Sequence, residues 1–70
     1  MGGNGNKIET LSAREIEVLE WMASGKTNRE IAMILGIAPG TVRKHADHIY
    51  EKLEVGSRLA AALHFKERNG

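Results

Sequence analysis

Apolar residues in this chain return every three to four positions in four separate stretches, the period of a helix with one buried face. In the first stretch, Val18, Leu19, Met22 and Ala23 fall on one side at 100° per residue, with Ile16 at the margin. Arg14, Glu17 and Glu20 fall on the opposite, solvated side. In the second, Ile31, Ile34 and Leu35 recur at helical spacing. In the third, Ala46, Ile49 and Leu53 cluster within about 40° of Val42 and define a buried stripe. The fourth reads SRLAAALHFKER. No Val/Ile/Tyr alternation suggests a strand, and no internal repeat of useful length is present.

Punctuation between the stretches sharpens these limits. Ser12 and Glu15, and again Thr27 and Glu30, have the S/T-x-x-E spacing in which hydroxyl and carboxylate reciprocally satisfy free backbone N–H groups. Leu11 and Ile16 are spaced as a hydrophobic staple across the first of these caps. Gly25 and Gly36 stand where helices stop, since glycine enters the left-handed region without a steric penalty. Pro39 stands one residue inside the next start, where its missing N–H costs nothing. Gly56 follows the third stretch, and Ser57 is a suitable cap for the fourth. The predicted fold is all-α and compact, with four helices at about 12–24, 28–35, 39–54 and 57–67.

The Gly/Asn-rich start, MGGNGNK, has no periodicity. Residues 1–8 are expected to be a disordered tail, the end of a linker or an expression remnant; 9–67 form the domain, and 68–70 fray. Seventy residues without cysteine must close a single core by aliphatic packing, with Trp21, Tyr50 and Phe65 the only aromatics. No apolar run is long enough to span a bilayer and no signal peptide is present, so a cytoplasmic, nucleoid-associated protein without membrane contact is expected. The net charge of +1 is small, but its distribution is uneven. Residues 7–25 hold Lys7 and Arg14 against Glu9, Glu15, Glu17 and Glu20. Residues 26–52 hold Lys26, Arg29, Arg43, Lys44 and Lys52 against Glu30, Asp47 and Glu51. The basic part coincides with the second and third helices.

A helix, a short Gly-containing turn and a second helix bearing cations is the arrangement that lays a recognition helix into the DNA major groove. On the third helix Lys44 lies about 200° from Val42, directly away from the core, with Asp47 and His48 on either side. Lys44 and Asp47 are therefore the base-reading candidates, and Arg43 can bend in from its shoulder with the fork that guanine accepts best. Thr41 and His45 on the rim suit phosphate oxygens. Glu51 also faces outward, farther from the helix start. A metal site from His45, His48 and Asp47 would lack its remaining ligands, because His64 belongs to another helix. No nucleophile, base and orienter occur together, and there is no Gly-rich phosphate loop. Neither an enzyme, a metal nor a cofactor is expected.

These residues resemble the LuxR-type (LuxR/FixJ/GerE) helix-turn-helix domain of bacterial transcriptional regulators. The matching elements are LSAREIEVLEWMASG at 11–25, TNREIAMILGIAPGTVRKH at 27–45, and IYEKLEV with the following SR at 49–58. Roughly residues 9–66 are covered. The resemblance implies a four-helix transcription-factor domain, found in response regulators and quorum-sensing activators, that binds double-stranded DNA. It implies helix three as the recognition helix and pairing of DNA-bound subunits through helix four. Carried onto this sequence, it places Thr41, Arg43, Lys44, His45 and Asp47 at the DNA, with Lys52 at the backbone. Asn28, Arg29 and Arg58 are further phosphate candidates by the same likeness.

Three positions depart from the family pattern: Ala38 at the cap that is commonly Ser, Gly40 on the groove-facing side, and the acid Asp47. Together they imply weaker isolated binding or an altered operator preference. The fourth helix is more apolar than one buried face requires. Ala61 and Phe65 are expected in the core, and Leu59, Ala62 and Leu63 form a strip for a two-fold contact. So small a strip implies a monomer or weak dimer when free and a homodimer on DNA, with RNA polymerase as a further expected partner. The competing reading is a helical protein-interaction module, an anti-activator or polymerase-contacting adaptor, that keeps the fold without strong DNA binding. A sigma-factor-like promoter reader would carry more basic residues along helix three.

Overall fold

The computed structural model describes residues 7–69, in which four α-helices follow a short 3-10 turn at Lys7–Thr10. They are α1 (Ala13–Ala23), α2 (Asn28–Leu35), α3 (Pro39–Leu53) and α4 (Arg58–Asn69). The described residues contain no strand.

Local chemistry sets most of these limits. Ser12 Oγ accepts from the Glu15 amide at 3.1 Å while Glu15 Oε1 accepts from the Ser12 amide at 2.9 Å. Thr27 and Glu30 repeat the exchange at 3.1 and 2.8 Å. Both capping boxes therefore form as their spacing predicts. At the end of α1, Gly25 takes φ +90°, and the amides of Gly25 and Lys26 donate to the carbonyls of Met22 and Trp21. Gly36 closes α2 in the left-handed region, with Ile37 donating to Ala32. Ser57 caps α4 by accepting from Ala60 at 3.1 Å.

The core gathers Val18, Leu19 and Met22 of α1, Ile31 and Ala32 of α2, the α3 stripe of Val42, Ala46, Ile49 and Leu53, and Ala61 of α4. Helices α1 and α3 pack on each other, α4 lies mainly on α1, and α2 lies against α3 and touches α1. Ile16, Trp21, Tyr50 and Phe65 pack around this centre, half-buried.

The structure departs from the sequence reading at four places. Of the tail expected over 1–8, residues 1–6 lie outside the described residues, but Ile8 is buried in the core beside Leu11 and the 3-10 turn packs on α3. One apolar residue without a periodic neighbourhood carries no pattern, so its burial could not be read from spacing. At the other end, α4 extends to Asn69, two residues beyond the expected helix end at 67. Ile34 is exposed, and Ala32 takes its place in the core. With Ile31 innermost, α2 turns the Ala32–Leu35 side inward and leaves Met33 and Ile34 outside. Helix α3 ends one residue before the expected 54. Glu54 itself makes the left-handed turn at φ 59°, and the Glu54 and Val55 amides donate to the carbonyls of Glu51 and Tyr50. Gly56 plays no part in that turn.

Candidate nucleic-acid interface

Opposite the buried stripe of α3, Lys44 and Asp47 are exposed, and Arg43 is exposed on the shoulder beside them. None of the three has an ion pair or side-chain hydrogen bond among the described residues. Thr41 is exposed and His45 half-buried on the shoulder. Gly40 precedes them on the same outward side, and a Cβ there would meet nothing within 4 Å. The chain's own packing therefore does not require glycine at that position.

Ala38 occupies the cap position of α3 with the extended backbone of a cap, but it supplies no side-chain hydrogen bond. Only its carbonyl is used, accepting from Thr41 and Val42. The first turn of α3 thus keeps amide groups that the chain does not satisfy through a side chain.

Three of the expected phosphate residues, Lys52, Arg58 and Asn28, are engaged within the domain. Lys52 Nζ lies 2.9 Å from Glu15 Oε1, joining the middle of the domain to the start of α1. His48 Nδ1 stands 3.8 Å from the other oxygen of the same carboxylate. Arg58 donates from Nη1 to Asn28 Oδ1 at 2.8 Å and from Nη2 to the Lys26 carbonyl at 2.7 Å. Arg29 is exposed on α2 next to Asn28.

Glu15 is the residue that sequence reasoning undervalued. Its place in a capping box was evident, but the residue is also only 5% exposed. Burial by itself would raise its pKa. The Ser12 amide and the Lys52 ammonium together outweigh that cost and hold the carboxyl below its ordinary value. The available signal was position: three residues before Val18, Glu15 lies on the core-facing side of α1. Glu30, its counterpart in the second box, also has a lowered pKa, chiefly because it accepts from the Thr27 amide, but it stays at the surface.

On α4, Ala61 is fully buried and Phe65 packs on the core, while Leu59 is 68% and Leu63 48% exposed and Ala62 lies between. The strip separates from the core face as the helical period requires. Where the start of α4 meets the α1–α2 turn there is a groove of about 620 Å³, with Met22, Thr27, Arg58 and Leu59 in its lining. Among the described residues no helix is long and apolar enough to cross a membrane. Nor do those residues place three or more His, Cys, Asp or Glu side chains where they could hold a metal ion.

Comparison with known proteins joins this geometry to a family. Residues 9–65 match the GerE family model, described as bacterial regulatory proteins of the luxR family. The transcriptional regulatory protein DesR of Bacillus subtilis (strain 168) is 50% identical over 63 residues, covering 90% of this chain and 32% of that protein. LiaR of the same organism, also a transcriptional regulatory protein, is 43% identical over 63 residues, covering 90% of this chain and 30% of its own length. The nitrate/nitrite response regulator protein NarP of Escherichia coli (strain K12) is 36% identical over 69 residues, covering 99% of this chain and 32% of that protein. The chain spans about a third of the length of these relatives. With the matched residues covering all of the α1–α3 framework and most of α4, the chain belongs to the luxR family of bacterial regulatory proteins, as a DNA-binding helix-turn-helix domain of transcription regulation.

Proposed function

We propose that this domain reads a two-fold DNA operator by inserting the N-terminal half of α3 into the major groove. The observation that carries this reading is the set Arg43, Lys44 and Asp47, exposed on the outward side of α3 and without partners among the described residues. In the groove Arg43 and Lys44 meet guanine O6 and N7, and Asp47 accepts from a cytosine amino group. Thr41, His45, Asn28 and Arg29 lie beside phosphates and set the register. Lys52 approaches the backbone while its ammonium remains shared with Glu15, and Arg58 lies behind Asn28. Two copies pair through Leu59, Ala62 and Leu63 once both are seated on DNA, their recognition helices about 34 Å apart. The free domain is monomeric, because the strip is far smaller than a standard interface of about 1,600 Å². Such a protein works in the cytoplasm, at the nucleoid.

Selection of bound sequences from a random duplex pool tests the reading and yields the operator. Lys44→Ala is expected to cost about 1–3 kcal/mol on the selected site and to flatten preference at one or two base pairs. Equal weakening on every sequence would move Lys44 to a phosphate. Leu63→Asp is expected to keep the fold and half-site binding while abolishing cooperative filling of the full site. Loss of the fold would return Leu63 to the core.

A further inference from the structure

We propose that Arg58 serves DNA binding at one remove, as a positioning residue that turns the Asn28 amide so that its NH₂ group faces a phosphate. The orientation follows from donor and acceptor chemistry. A guanidinium only donates, so the amide atom 2.8 Å from Arg58 Nη1 is the oxygen, as the geometry has it. Nη2 donates at the same time to the Lys26 carbonyl at 2.7 Å. Two donors in one rigid plane, held on two acceptors in the α1–α2 turn and at the first residue of α2, fix the place and the rotation of the amide. What remains of Asn28 is Nδ2, with two protons to donate and no partner among the described residues. Among those residues no buried side-chain nitrogen or oxygen lacks a partner. Nδ2 therefore reaches the surface.

A surface NH₂ of fixed orientation at the head of α2 suits a phosphate oxygen, which accepts hydrogen bonds and carries no base identity. Arg58 itself is half-buried behind that amide and belongs to α4, 30 positions along the chain from its partner. The helix that carries the pairing strip thus also holds the phosphate-facing group of α2. This inference rests on the placement of DNA against α3 and the start of α2 proposed above.

The test measures affinity of the 70-residue chain for a selected half-site at several salt concentrations, beside thermal melts of each variant. Asn28→Ala is expected to weaken binding about tenfold, the scale of one hydrogen bond to a charged group. Arg58→Lys keeps the charge but loses the planar fork, so it should weaken binding similarly with an unchanged salt slope. The double variant should bind no worse than Asn28→Ala alone. Asn28→Asp leaves Arg58 its acceptor, so the melt is unchanged or raised, while affinity falls further than for Asn28→Ala. Full affinity in Arg58→Lys, or additive losses in the double variant, would make Arg58 a direct phosphate contact and overturn the proposal. A loss of about 0.9 in the salt slope of Arg58→Ala would do the same. If Arg58→Lys does not stay folded, undiminished affinity of Asn28→Asp overturns it instead. Lys44→Ala is the control for placement. Should it leave affinity untouched, DNA does not lie on α3 and that reading fails, whatever Arg58 does.

Discussion

Helices α1 and α2 are closed at both ends by their own sequence, whereas α3, the helix assigned to the groove, is not. The first two each open on a complete capping box and end on a left-handed glycine. Helix α3 opens on Ala38 without a side-chain cap, carries Gly40 in its first turn, and ends on Glu54 at a positive φ. Each of these choices is locally unfavourable. The longest helix of the domain therefore depends on what it packs against: a four-residue stripe in the core and, through Lys52, the buried carboxylate of Glu15. The scaffold is stabilised locally and the reading head is held by tertiary contacts. Such a division leaves the exposed face of α3 free to vary without disturbing the fold.

The largest effect expected from this contrast is at Glu15. Glu15→Ala removes both the α1 capping box and the partner of Lys52, and should cost about 2–3 kcal/mol in urea or thermal unfolding. Glu30→Ala removes the equivalent box at the surface and should cost clearly less. Equal losses would erase the distinction between the two boxes. The linked pH effect has a definite sign. Because the folded pKa of Glu15 lies below the ordinary 4.5, its contribution is present above pH 4.5 and is lost as pH falls through the lowered value. Glu15→Gln should flatten the acid side of the stability curve, and an unaltered curve would deny Glu15 that role.

Next come the two weak points at the head of α3. Ala38→Ser restores a cap on a backbone already shaped for one and should stabilise by about 1 kcal/mol, or about 4–8 °C in melting temperature. Gly40→Ala enters open space and should add about 0.5–1 kcal/mol by helix propensity. If Gly40 gives DNA room to approach, the same variant will bind the operator less tightly while melting higher. Undiminished binding would make Gly40 a plain cost. The smallest effect belongs to the other end: Glu54→Gly relieves a left-handed residue and should stabilise by at most about 1 kcal/mol, measured by the same melts. Destabilisation there would show that the Glu54 side chain contributes more than its backbone costs.

Signals acting within one turn were legible in the sequence. S/T-x-x-E at residues 12–15 and 27–30, Gly25, Gly36 and Pro39 act over one to four residues, so helix starts and stops could be placed within a residue or two. The stripe of Val42, Ala46, Ile49 and Leu53 follows from the helical period, and so does the outward position of Lys44. The exposed Leu59 and Leu63 could be separated from Ala61 on the same ground. What the tertiary structure alone decided joins residues far apart in the chain. Glu15 meets Lys52 across 37 positions and Arg58 meets Asn28 across 30, and no local period links such partners. Their side chains look like ordinary surface polar groups until packing brings α1 against α3 and α4 against the α1–α2 turn. Burial of Ile8 and exposure of Ile34 belong here too, since each depends on which neighbouring helix covers the position. Local geometry repeats along a chain and can be read from it; the meeting of two helices is set by the whole core.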